Sequence, residues 1–147
     1  MRRSGTLVVI AVLVLAVGVP LRGQSNRWQR QVSDQLQRAV AALQGRGVKR
    51  PELTRIRPLN GEESEAFPVT LQAGVAYAVM GVCDEDCTNL HLVLANAAGS
   101  DVAADRSSEN FPVLQLTPQV TMQYRVKVVM AACQMNPCWY GVAVYRK

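Results

Sequence analysis

Apolar positions follow two different periods along this chain. From Asn26 to about Leu43 they recur at steps of three and four: Trp28, Val32, Leu36, Ala39, Val40 and Leu43. The opposite face carries Arg30, Ser33, Asp34, Gln37 and Arg38. That pattern predicts one amphipathic α-helix within residues 24–45, with Asn26 as N-cap and Gly45 and Gly47 as stops. Such a stripe seeks an apolar surface to cover, and the domain that follows is the nearest one. A partner or a membrane surface is the alternative, although Gln and Ser dilute the basic face that lipid binding requires. Residues 46–65 read as a linker. They hold Gly47, Pro51, Pro58, Asn60 and Gly61 and are rich in basic side chains.

From Ala66 onward the period falls to two. Phe67, Val69 and Leu71 alternate with polar neighbours, as do Val75, Tyr77 and Val79 on the way to Cys83. Leu90, Leu92 and Leu94 repeat the pattern. Val113 to Leu116, then Tyr124, Val126, Val128 and Met130, then Trp139 to Tyr145 complete it. Gly, Pro, Asn and Asp clusters separate the runs. Short alternating strands with turn signals between them predict an antiparallel β-sandwich or barrel over residues 66–147. The fold class is therefore mainly β, with one helix in front.

Leu7 to Val19 is a run of 13 uncharged residues behind Met1-Arg2-Arg3, closed by Pro20 to Gly23. A basic start, a short apolar stretch and a small residue predict a signal peptide over residues 1–23. A membrane span needs about 20 apolar residues. The alternative is an uncleaved anchor, because Leu21-Arg22-Gly23 is a poor cleavage site. Export predicts a periplasmic or extracellular protein with no stable membrane span after cleavage.

The precursor has 16 basic and 11 acidic side chains, a net charge of +5. Without residues 1–23 it has 13 and 11. Much of the basic excess thus belongs to the leader, which argues against a nucleic-acid partner. The remaining charge is blocked: residues 24–57 are basic, 58–122 acidic and 123–147 basic. One histidine, His91, excludes zinc helices that need two. Neither a phosphate-binding Gly loop nor a Gly-x-Ser-x-Gly elbow occurs in the sequence.

The four cysteines form two close pairs, Cys83/Cys87 and Cys133/Cys138. Their spacing suits zinc as well as local disulfides, and four cysteines allow three pairings. The oxidising compartment favours disulfides, and we expect Cys83–Cys87 and Cys133–Cys138.

Several stretches follow a known order: Leu71-Gln72-Ala73-Gly74-Val75-Ala76-Tyr77, Asn89-Leu90-His91-Leu92, Gly99 to Asp105, Tyr124 to Val128 and Tyr140 to Val144. Over Phe67 to Tyr145 the chain resembles the bacterial pre-peptidase C-terminal domain family, in a cysteine-containing variant. The resemblance implies a jelly-roll β-sandwich on an exported protein, often beside a protease, and no catalysis. Where the family has Asp-Leu-Asp-Leu, this chain has Asn89 and His91 in place of the carboxylates.

These readings make the chain an exported, non-catalytic interaction or accessory module for an unknown protein or polysaccharide outside the cytoplasm, with no cofactor. Two alternatives remain. The first is a small secreted hydrolase using the acidic loops, although Ser107-Ser108-Glu109 has no evident base beside it. The second is a calcium-binding structural module. Asp84, Glu85, Asp86, Asn89, Asp101 and Asp105 supply oxygen donors for it, in a spacing unlike an EF-hand. Otherwise Asp84–Asp86 form a solvated loop tip and the other aspartates shape turns. His91 reads as a surface strand residue. Trp139 and Tyr140 are candidates for a binding surface, the alternative being one ring in the core and one over a disulfide.

Overall fold

The computed structural model describes residues 23–44, 48 and 51–147. The signal segment expected over residues 1–23 lies outside them, except for Gly23. Helix α1 runs Gly23–Gln44 and is followed by eight strands: β1 Leu53–Leu59, β2 Ser64–Leu71, β3 Tyr77–Cys83, β4 Cys87–Ala95, β5 Asp101–Asp105, β6 Val113–Leu116, β7 Met122–Cys133 and β8 Cys138–Arg146. They form two antiparallel four-stranded sheets, ordered β1-β8-β3-β6 and β2-β7-β4-β5. Consecutive strands β1 to β4 alternate between the sheets, and β7 and β8 lie in opposite ones. This is a jelly-roll sandwich.

Alternation builds the core. Phe67, Val69 and Leu71 of β2, Leu90, Leu92 and Leu94 of β4, and Tyr124, Val126, Val128 and Met130 of β7 face Tyr77, Val79, Tyr140, Val142 and Val144 across the gap. Strand β3 is buried along its whole length. Its second face lies beneath α1, where Met80 and Val82 join Ala143 and Tyr145 of β8 around Val32 and Leu36. The helix thus covers the outer face of the β1-β8-β3-β6 sheet, with Ala39, Val40 and Leu43 at the margin. Trp28 takes no place in that cluster. It is half-buried, with the Arg27 guanidinium 4.5 Å from its ring centroid.

Three sequence expectations need correction. Residues 53–59, expected within a linker, are the edge strand β1, paired residue for residue with β8 from Leu53↔Val144 to Leu59↔Cys138. An edge position tolerates Pro58 and the arginines, because only one side of the strand must pair. Asp101, read as a turn-shaping residue, opens the edge strand β5, while Asp105 at its end does shape the turn that follows by accepting from the Ser107 amide. The helix starts at Gly23, so Asn26 stands inside it rather than at its cap.

Candidate interaction surface

Both cysteine pairs sit at one end of the sandwich, and each is a disulfide. Cys83 ends β3 in one sheet and Cys87 opens β4 in the other; Cys133 ends β7 and Cys138 opens β8. Each bond therefore ties the two sheets together where a short loop crosses between them. Cys87 and Cys133 are register partners, so the two ties stand side by side.

Hydrogen bonds lock these crossings to the β1–β2 turn. The amide of Gln134 donates to the Asp86 carbonyl at 2.8 Å. The Gly61 amide donates to Asn136 Oδ1 at 2.7 Å. The Glu62 amide donates to the Met130 carbonyl at 2.7 Å, and the Met130 amide to the Glu63 carbonyl at 2.9 Å. Within the turn, Glu62 takes φ +67°, a left-handed conformation uncommon outside glycine. Glu63 accepts from the Asn60 side chain and amide, which hold its carboxyl below the ordinary range.

Asp84 is the centre of this end. Only 1% exposed, its Oδ2 accepts from the Trp139 amide at 2.6 Å and its Oδ1 from the Cys87 amide at 3.2 Å. Its own amide donates to the Trp139 carbonyl at 3.0 Å. Burial pushes its carboxyl above the ordinary range, against the pull of those two amides. The fastened end projects one large apolar side chain, Met135, which is 67% exposed. In the crossings bonded to its loop, Glu62 and Glu63 are exposed and Asp86 is half-buried. Glu85 forms an exposed ion pair with Arg27 of α1 at 3.1 Å, a contact of small energetic weight.

The donors expected around calcium do not converge. Asp84 faces inward onto backbone amides. Asp86 stays at the loop end. Asn89 sits at an irregularity in the β4–β7 pairing, opposite Ala132. Asp101 lies at the other end of β4, opposite Ala95, and pairs with Arg106 at 2.6 Å. Asp105 is taken by the Ser107 hydroxyl at 2.7 Å and the Val113 amide at 2.9 Å, so the strand β5 is tied to β6. Those bonds, the Val113 amide foremost, keep its carboxyl below the ordinary range. Among the described residues, no three His, Cys, Asp or Glu side chains are grouped to hold a metal ion. His91 is half-buried on β4 opposite Val129.

The aromatic pair is also redistributed. Tyr140 is 0% exposed and belongs to the core, which removes it from any surface. Trp139 points to the helix side and packs half-buried against that cluster.

Sequence reasoning missed the group that Tyr140 joins. Its hydroxyl donates to Glu65 Oε1, and Arg55 Nε donates to the same oxygen at 2.5 Å. Arg55 lies on edge strand β1 and Glu65 on edge strand β2 of the opposite sheet, so the pair closes the open side of the sandwich. The Arg55 guanidinium also stands 5.0 Å from the Phe67 ring centroid. Burial works against the Glu65 carboxylate, but Arg55 and Tyr140 outweigh it and hold the group below its ordinary range. Tyr140 is pushed far above the tyrosine range by burial and by Glu65. Opposite charges ten residues apart around the Asn60-Gly61 turn were the available signal.

A cavity of ≈ 380 Å³ lies between α1 and the approach to β6, lined by Gln35, Arg38, Ala39, Val82, Asn110 and Phe111. None of the described helices is long and apolar enough to cross a membrane.

No family model matches the chain. No curated protein matches it either. Among solved structures it is similar to the pre-peptidase C-terminal domain of a collagenase from Bacillus anthracis, at 15% identity over 65% of this chain and 98% of that one, with a TM-score of 0.50. It is also similar to PliG of Aeromonas hydrophila, a periplasmic inhibitor of g-type lysozyme, at 13% identity over 65% of this chain and 85% of that one, with a TM-score of 0.49. At these identities the likeness is one of fold.

Proposed function

We propose that this chain is an exported, non-catalytic accessory module that holds a protein partner at its disulfide-fastened end. The observation that carries the reading is the construction of that end. Three chain crossings are tied by two disulfides and by backbone hydrogen bonds, around one large apolar side chain left in solvent. A surface ordered in advance loses little conformational freedom on binding, which favours affinity. Disulfides that bridge both sheets fit an oxidising compartment and therefore export. The resemblance to the pre-peptidase C-terminal family supports an accessory role beside another exported protein.

A protein suits this end better than a polysaccharide. Sugar rings are held on open aromatic faces, whereas Tyr140 is in the core and Trp139 is half-covered beside the helix. The module as proposed uses no cofactor or metal ion. The test is photocrosslinking in the native host, with a photoreactive amino acid at Met135 or, as control, at Val120, an exposed residue of the β6–β7 connection. A discrete protein adduct through position 135, absent from position 120 and lost when Cys133 and Cys138 are serines, is the expected result. Equal labelling from both positions, or none from 135, overturns the reading.

A further inference from the structure

The two outer faces of the sandwich differ. Helix α1 covers the β1-β8-β3-β6 sheet, while none of the described elements packs on the outer face of β2-β7-β4-β5. Register places the residues of that bare face in rows. Ala66, Lys127, Val93 and Ala104 form one, and Pro68, Arg125 and Ala95 the next. Ser64, Val129 and His91 flank the first row, and Thr70 and Gln123 the second.

Most of these side chains are short. Arg125 and Lys127 are the long ones at the centre, on the inner strand β7, and both are exposed. As alternate residues of one strand, they point the same way about 6.8 Å apart. Among the described residues neither takes part in an ion pair. The acid nearest in register, Asp101 opposite Ala95, already pairs with Arg106. The floor beside them is apolar: Val93 is only 4% exposed between Lys127 and Ala104, and Ala66, Pro68 and Ala95 continue it.

We infer that this bare face binds an acidic, extended segment of a partner protein, with Arg125 and Lys127 as its charge contacts. Carboxylates on alternate residues of an extended chain repeat at about the same 6.8 Å, so one such segment meets both cations at once. Short side chains let its backbone approach, and the exposed Ala66, Pro68 and Ala104 receive its apolar atoms. No Phe, Tyr or Trp ring lies in the two rows, so a glycan finds no broad aromatic platform to stack on. The inference concerns the flat side of the sandwich and does not depend on the loop end.

The test is fluorescence anisotropy with the purified full chain and a labelled peptide alternating Glu and Thr, at low and raised salt. Binding should weaken with salt, and R125E/K127E should weaken it by about tenfold or more. R125Q/K127Q should weaken it less, and R30E/R38E on the helix should leave it unchanged. The melting temperatures of these surface variants report that each is folded. The proposal is overturned if the peptide does not bind, if R125E/K127E has no effect, or if the helix variant loses as much. It is equally overturned if polygalacturonate binds this face more tightly than the peptide, which would make the partner a glycan.

Discussion

Gly141 of β8 lies directly beneath Val32 of α1, so close that a Cβ on the glycine would stand 2.6 Å from Val32 Cγ1. The same Cβ would be 2.7 Å from Leu36 Cδ1. The two buried helix residues therefore occupy the space that a missing side chain leaves on the sheet.

Gly141→Ala is expected to separate helix from sheet. Leu36 can rotate away, but the β-branched Val32 is stiff, so the helix must lift. Overpacking of this kind costs about 1–3 kcal/mol. Thermal melting should show the loss, and hydrogen exchange should rise across residues 28–43 more than across β7. Unchanged exchange in the helix would show that the contact is not tight.

How much of this was legible in the sequence depends on which strand is considered. The β2, β4 and β7 strands announce themselves because one face meets the core and the other meets solvent. β1 does not, since Arg55, Arg57 and Pro58 are tolerated only by its edge position, and that position depends on β8, some 85 residues away in register. The helix stripe was readable at Val32 and Leu36. Its seat was not, because Gly141 becomes meaningful only when register brings it under the helix. Likewise, the acidic residues could be counted but not placed: Asp84 turned inward, and Glu65 found Arg55 through the gap between the sheets.

Glu65 should make the protein acid-sensitive in a way that Glu65→Gln removes. Arg55 and Tyr140 lower its folded pKa despite burial. Its ionised form therefore adds stability above the unfolded value of about 4.3, and that contribution is lost as pH falls through the lower folded value. The stability difference between wild type and E65Q, from urea unfolding at several pH values, should be largest near neutrality and shrink below pH about 4. A constant difference across that range would contradict the closure of the sandwich by an ionised Glu65.

Replacing both Cys133 and Cys138 by serine should cost about 2 kcal/mol, the chain-entropy value for so short a loop. The sheet-spanning position makes the local effect larger than the global one. Hydrogen exchange should increase at Gln134, whose amide bonds Asp86, and at Gly61, whose amide bonds Asn136. If exchange at Gly61 stays as in wild type, the three crossings are not one mechanical unit.

Asp84 is the buried acid whose substitution tests the loop end most directly. Alanine leaves the Trp139 amide without its acceptor in a site closed to solvent, while the Cys87 amide keeps its bond to the residue-84 carbonyl at 3.2 Å. An unsatisfied buried donor costs about 1–3 kcal/mol, so D84A should lose about 1–3 kcal/mol. Asparagine separates charge from geometry. Its oxygen can serve one amide, but its NH2 group would face the N–H of the other, donor against donor. D84N is therefore expected to cost nearly as much as D84A. The pH dependence has the opposite sign to that of Glu65. Burial raises the folded pKa of Asp84, so wild type gains stability as pH falls through that value toward the ordinary 3.8. Neither variant has that titration, so their deficit should grow on acidification. Denaturant unfolding at neutral pH and near pH 4 measures both effects. A D84N protein as stable as wild type would mean that the loop end is held by the disulfides alone.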